Sequence, residues 1–361
     1  MELFGIMKDN KFVKFEKILM NNSKSVGLIG KKAINLYICL FIISFISCNN
    51  QSAKHEEKQK TQEITSTYDF NSDSAYSYVE KQVDFGARVP NTKSHEKCAV
   101  YLIDKIKKYA DNVIIQEANL KAFDGTILKS KNIIAEFNPQ AKTRILLCSH
   151  WDSRPWADQE KDEAKKKMPV PAANDGASGV GVLMEVARLL NINKPAVGVD
   201  IIFLDSEDYG QSEHNAGKEA EDSWCLGTQY WAKNLHHPDY TAKFGILLDM
   251  VGAPNATFAM EGTSVYYAND VLEKVWSIAN KSGYSEYFIY KKSGSITDDH
   301  YYINTLAKIP SIDIIQNDPT TRSGFGYYWH TTDDTMKNID RNTLKAVGQT
   351  LLNVISEGES L

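Results

Sequence analysis

The sequence predicts an α/β protein: a three-layer α/β/α sandwich around a central mixed, mostly parallel twisted sheet. Three observations predict it. Short apolar runs with the length of buried strands alternate with amphipathic helical stretches. That alternation calls for a parallel or mixed sheet with helices on both faces. Polar clusters follow the apolar runs repeatedly, where ligands bind in open α/β sheets.

From about Tyr68 the pattern is compact. Ser94 to Tyr109 reads as a helix, because Ala99, Leu102, Ile103, Ile106 and Tyr109 share one face. Asn112 to Ala118 reads as a strand, and Ser130 to Phe137 and Thr143 to Cys148 as buried strands. Ser178 to Leu190 is a helix with Val180, Leu183, Met184, Ala187 and Leu190 on one side. Gly198 to Leu204 is a further buried strand, and Ser223 to Asn234 is helical. Phe244 to Met250 and Ser311 to Ile315 are strands, and Asn342 to Ile355 is a closing helix. Residues 67–361 are expected to form one domain without internal repeats.

The N-terminal segment reads differently. Lys31 and Lys32 precede an apolar run from Ala33 to Ile46 that ends at Ser47-Cys48, the layout of a signal peptide. A Cys after a small residue is similar to the bacterial lipoprotein processing site. Residues 1–48 are therefore expected to be a lipoprotein-type signal, with Cys48 the lipidated anchor of an exported protein facing periplasm or cell surface. Phe45 and Ile46 are bulkier than that pattern, and an uncleaved anchor or plain secretion is the other reading. The run falls short of the about 20 residues that a membrane span needs. Met20 is an alternative start. Residues 49–66 are polar and read as a tether.

The net charge of −5 gives no nucleic-acid footprint. Of five cysteines, Cys39 and Cys48 belong to the export signal. Cys98, Cys148 and Cys225 are odd in number and widely spaced, so buried free thiols or at most one bridge are expected.

The chemistry-bearing residues cluster at strand ends. His150 and Asp152 directly follow one apolar run, and a His there is more often structural than a ligand. Asp175, in Ala173-Asn174-Asp175-Gly176, sits before a helix, where Asp also serves as a cap. Asp205-Ser206-Glu207-Asp208 packs three carboxylates into four residues after a very apolar run, and these repel unless cations or protons compensate. Asp249 ends another apolar run and needs a partner if buried. Asp298-Asp299-His300 and Trp329-His330-Thr331-Thr332-Asp333-Asp334 complete the set, each readable alone as a surface turn. Together they are what a catalytic zinc site draws on: His and carboxylates from several segments, with an adjacent non-ligand carboxylate as base.

At these residues the chain resembles the zinc-dependent aminopeptidase and glutaminyl cyclase superfamily, from about Asp84 to Ile355. The resemblance lies in the order His-x-Asp, Asn-Asp-Gly, Glu-Asp, Leu-Asp-Met-Val-Gly and His-Thr-x-Asp-Asp. The bacterial glutaminyl cyclase (glutaminyl-peptide cyclotransferase) branch is the more similar. Its marks are Phe85-Gly86-Ala87-Arg88-Val89-Pro90, His150-Trp151-Asp152-Ser153-Arg154-Pro155, Asp222-Ser223-Trp224-Cys225-Leu226-Gly227-Thr228 and Trp329 before His330. The resemblance implies one zinc per subunit held by Asp175, Asp208 and His330, with Glu207 as general acid/base. It implies a supporting network of Asp249 and Asp298, or its neighbour Asp299, and a pocket lined by Trp329, with Asp299 and His150 toward substrate. The implied reaction converts the N-terminal Gln of peptides to pyroglutamate with release of ammonia. Asp208 stands where the family often has Glu, and Cys148 lacks the downstream Cys that pairs with it in animal enzymes. Two other readings compete. One is an aminopeptidase with two zinc ions held by His150, Asp175, Asp208, Asp249 and His330. The other is a non-catalytic binding module on the same scaffold. Partners are expected to be Gln-initiated peptides and a membrane through the lipid anchor, with no nucleic acid and a monomer favoured.

Overall fold

The computed structural model describes residues 68–212 and 221–358; the expected signal and tether lie outside the described residues. Strand β1 (Asn112–Lys121) turns back on β2 (Ile127–Phe137) as an antiparallel hairpin, and β2 pairs antiparallel with β4 (Gly198–Leu204). Strand β3 (Arg144–His150) runs parallel between β4 and β5 (Phe244–Asp249), and β8 (Ser311–Ile315) extends the parallel part beyond β5. The six-stranded order is thus β1-β2-β4-β3-β5-β8, the expected mixed, mostly parallel sheet.

Side-chain alternation along β3 shows why both faces are covered. Ile145 and Leu147 enter a large apolar cluster, whereas Leu146 and Cys148 enter a second cluster on the opposite face. The large cluster joins the sheet to α1 (Ser72–Val83), α2 (Lys93–Ile106), α3 (Ala177–Ile192), α5 (Gly262–Lys281) and α7 (Arg341–Glu357). The smaller one takes Trp231 and Ala232 from α4 (Leu226–Lys233), with Ile303 and Ile309 after the short helix α6 (Asp299–Tyr302). Helices α1 and α3 approach closely because position 181 is Gly: a Cβ there would come within 2.5 Å of Val79 Cγ2.

Besides the short α6, two helices go unanticipated by the sequence reading. Helix α1 buries Ala75, Tyr78, Val79 and Gln82 at ordinary helical spacing and is capped by Asn71, which accepts from Ser74 N. Helix α5 is interrupted at Ala268 (φ −146°), and its apolar face is broken by Tyr266, Tyr267, Asn269 and Asp270. It is flanked by β6 (Phe258–Met260) and β7 (Phe288–Lys292), a small second sheet. The helix expected from Ser223 starts instead at Leu226, because Cys225 adopts a left-handed φ of 55°. The strand expected to reach Met250 stops at Asp249, because Met250 is also left-handed. Cys98, Cys148 and Cys225 are buried and free. Among the described residues, no helix is long and apolar enough to cross a membrane.

Candidate metal centre and active site

The parallel strands β4, β3 and β5 point their C-terminal ends to one edge, and the polar residues gather there. His150 is the last residue of β3 and Asp249 the last of β5, while Glu207 and Asp208 follow β4. Asp298 caps α6. Asp175 precedes α3 in a turn that requires Gly176: its φ is +98°, and a Cβ there would meet Asp152 O and His150 Cε1 at 2.9 Å. Fixed acceptors hold these turns. Asp334 accepts from Asn174 N at 2.9 Å and Asp175 N at 3.0 Å. Asp152 accepts from Glu207 N at 3.1 Å and Asp208 N at 3.2 Å.

Asp175, Asp208 and His330 converge, with one donor atom of each within 4.8 Å of the others. His330 Nε2 lies 3.5 Å from Asp175 Oδ2 and 3.4 Å from Asp208 Oδ1. Asp208 Oδ2 is buried and has no hydrogen-bond partner among the described residues, an arrangement that costs free energy unless a cation takes it up. One imidazole and two carboxylates from three loops, open on one side to a pocket, are a donor set that fits zinc with a position left for substrate. A second group, His150, Asp175 and Asp249, is equally close-set. His150 Nε2 lies 3.1 Å from Asp175 Oδ1 and 3.3 Å from Asp249 Oδ1.

Beside the cluster opens a cavity of about 440 Å³, lined among others by Asp158, Glu207, Trp224, Asp298, Phe325 and Trp329. The ring of His330 stacks on Trp329 at 3.9 Å and faces Trp224 at 6.1 Å. Glu207 borders this space and accepts from the Cys225 thiol at 3.4 Å. A carboxylate oxygen of Glu207 lies within 4.8 Å of one from Asp298.

So many carboxylates share so little water that their proton affinities rise. Burial first, and then the charges of Asp208, Asp298 and Asp299, hold Glu207 well above the usual carboxylate range, against the pull of His150. Burial and Asp175 do the same to Asp208. Asp249 and Asp298 are pushed up to about 6, mainly by burial. Asp175 moves the other way, since His150, His330 and Arg154 outweigh its burial. Burial favours neutral His330, and the nearby Arg154 adds to this.

The structure corrects three readings. His150 and Asp299 are not among the pocket-lining residues: at 1% and 0% exposed they lie beneath it, in the polar network. The third concerns the acidic segment after β4, whose three carboxylates the sequence leaves undivided. Asp205 turns away from the other two and pairs with buried His95 at 2.9 Å, so only Glu207 and Asp208 enter the site. The sequence reading also gives no role to Arg154, Asp158, Asp334 or Cys225. Arg154 and Asp158 carry a visible signal, opposite charges four residues apart, but nothing in the sequence shows that Arg154 is buried and Asp158 half-buried.

The fold and site define a class: an α/β protein with a metal-binding carboxylate cluster at the C-terminal ends of its parallel strands. The chain belongs to peptidase family M28, whose model matches residues 132–355. A crystal structure of Bacteroides thetaiotaomicron glutaminyl cyclase bound to N-acetylhistamine is 54% identical, with a TM-score of 0.78, and covers 80% of this chain and 98% of that one. A Zn-dependent exopeptidase from Parabacteroides distasonis is 53% identical, also with a TM-score of 0.78, covering 80% of this chain and 99% of that one. Bovine glutaminyl-peptide cyclotransferase is 29% identical over 253 residues, 61% of this chain. The chain spans 64% of that relative's length, less than two thirds.

Proposed function

We propose that the protein is a zinc-dependent glutaminyl-peptide cyclotransferase, turning the N-terminal Gln of peptides into pyroglutamate. The observation that carries this reading is Glu207 beside Asp175, Asp208 and His330 on one small pocket walled by Trp224, Phe325 and Trp329. The names of the Bacteroides thetaiotaomicron structure and of the bovine relative support it.

Asp175, Asp208 and His330 would hold the zinc, which supplies Lewis-acid polarisation of the side-chain amide carbonyl when bound. The aromatic walls hold the glutamine side chain folded back on its own α-amino group, so that ring closure is intramolecular. Glu207 accepts a proton from the attacking amine and returns it to the departing nitrogen. A C–N bond closes the five-membered lactam, the amide C–NH₂ bond breaks, and ammonia leaves. A carboxyl held high by burial suits this shuttle, because it binds the proton firmly enough to carry it. Asp298, capping α6 within reach of Glu207, and Asp249 support the base through the shared acidic network.

Purified protein incubated with a Gln-initiated peptide should yield a product lighter by one ammonia, at one zinc per chain. The close-set His150, Asp175 and Asp249 favour one alternative, the two-zinc aminopeptidase. Two zinc ions per chain with release of free amino acids would replace the cyclase reading. Residues 67–361 form the catalytic unit in this proposal, and Cys48 its lipid anchor, supported by the Lys31-Lys32, apolar-run and Ser47-Cys48 layout. Cys48→Ser should move the protein from the membrane fraction to the soluble fraction.

A further inference from the structure

Residues 154–170 carry many charges and run between β3 and α3, beside the site. In the structure the loop begins with a fully buried Arg154, 0% exposed. Its guanidinium grips Asp158 with two bonds, Nε to Oδ1 at 2.9 Å and Nη2 to Oδ2 at 2.7 Å. Its remaining nitrogen, Nη1, donates to Asp208 O at 3.1 Å and Gly210 O at 3.3 Å, and meets Asp208 Oδ1 at 3.3 Å. The guanidinium carbon lies over the Trp224 ring at 4.6 Å and the Trp156 ring at 5.4 Å. Asp158, so clamped, presents Oδ1 to His330 Nδ1 at 3.2 Å. The same loop ties the His330 segment twice more, through Gln159 N to His330 O at 3.2 Å and Glu160 to Thr332 N at 3.0 Å.

We infer that Arg154 and Asp158 are positioning residues that fix the metal-binding form of His330. Imidazole has two nitrogens and, when neutral, one proton. An acceptor locked against Nδ1 keeps the proton there and leaves the Nε2 lone pair facing Asp175 and Asp208. A free imidazole has no such bias, and a turned ring would offer N–H to the cation. Such outer carboxylates typically change metal affinity by about 10–100-fold. Arg154 does two jobs at once. Its fork orients Asp158, and its third nitrogen braces the Asp208 segment, so two of the three metal-binding segments are referenced to one rigid side chain.

The inference rests on the metal site proposed above, but not on the reaction. The test is therefore zinc affinity, read by competition with a chromophoric chelator starting from the zinc-loaded full-length protein. Asp158→Asn preserves shape but offers one oxygen where Arg154 and His330 require two. It should raise the zinc dissociation constant by about 10–100-fold. Arg154→Lys, which keeps the charge and loses the fork, should give a smaller rise, and Asp158→Glu a partial rescue. An unchanged dissociation constant in folded Asp158→Asn protein overturns the inference. Should that variant not fold, ¹⁵N-histidine NMR of the zinc-stripped wild-type chain decides: His330 protonated on Nδ1 supports the inference, and on Nε2 overturns it. A wild-type chain that binds no zinc would instead sink the metal site itself.

Discussion

The two ends of strand β4 each bury a carboxylate, and the chain treats them differently. Near the start, Asp200 is fully buried. Its Oδ2 accepts from Arg144 Nε at 2.7 Å and the Tyr240 hydroxyl at 2.9 Å, and its Oδ1 meets Arg144 Nη2. Both oxygens are taken up by the chain's own donors. Beyond the other end, Asp208 is just as buried, but Oδ2 has no partner among the described residues and carboxylates crowd around it. A buried carboxylate closed by its own chain is part of the scaffold. One with an oxygen left unpartnered among its like is what a cation would stabilise.

The largest effect that would test this contrast is at the open end. Glu207→Gln should retain zinc, counted by elemental analysis, and lose about 10²–10⁴-fold in kcat, the usual range for a general acid/base. Retained turnover in the zinc-loaded variant would remove Glu207 from its role. At the closed end, Arg144→Met strands Asp200 and should cost about 3–5 kcal/mol in urea denaturation, the usual penalty for an orphaned buried charge. Its zinc affinity should stay within about twofold; a large loss would mean that the two ends are one coupled unit.

A smaller effect is expected with pH. Burial, reinforced by the Asp298 charge, pushes Asp299 up to about 7; burial and the Asp175 charge do the same for Asp334. Both folded values lie above the ordinary value for Asp, about 3.9. The folded chain therefore keeps protons that the unfolded chain has released. Zinc-free protein should lose stability as pH rises from about 4 to about 7 and then level off. The positive charge of bound zinc would lower both proton affinities, so the gap in Tm between zinc-loaded and chelator-treated protein should widen across the same window. A gap independent of pH would contradict the open-end description. The smallest effect belongs to the exposed pair Arg341–Asp73, at 2.7 Å with side chains 50% and 81% exposed. Asp73→Asn should change stability by less than about 1 kcal/mol.

Much of this architecture was legible because buried strands announce themselves. The runs at Gly198 to Leu204 and Ser311 to Ile315 carry apolar residues that only a covered sheet can accommodate, and they form strands with those same limits. Helix α5 was harder, since Tyr266 and Tyr267 lie exposed on it and its axis breaks at Ala268. The polar segments at His150, at Glu207-Asp208 and at Asp249 could also be found, since each follows an apolar run; those at Asp175, Asp298 and His330 carry no such marker.

The sequence by itself determined which residue types stand at the carboxyl edge of the sheet: carboxylates and imidazoles in three or more segments, with Glu207 and Asp208 side by side. For His150, Glu207-Asp208 and Asp249 that follows from local order along the chain, because strand, turn and polar end are neighbours in sequence. Only the tertiary structure decided which carboxylates are paired and which are left open. Asp205 finds His95, 110 residues away, whereas Asp208, three positions on, meets Arg154 and His330 and keeps Oδ2 without a hydrogen-bond partner among the described residues. Charge compensation acts over a few ångströms in space, and that distance has no counterpart in sequence spacing.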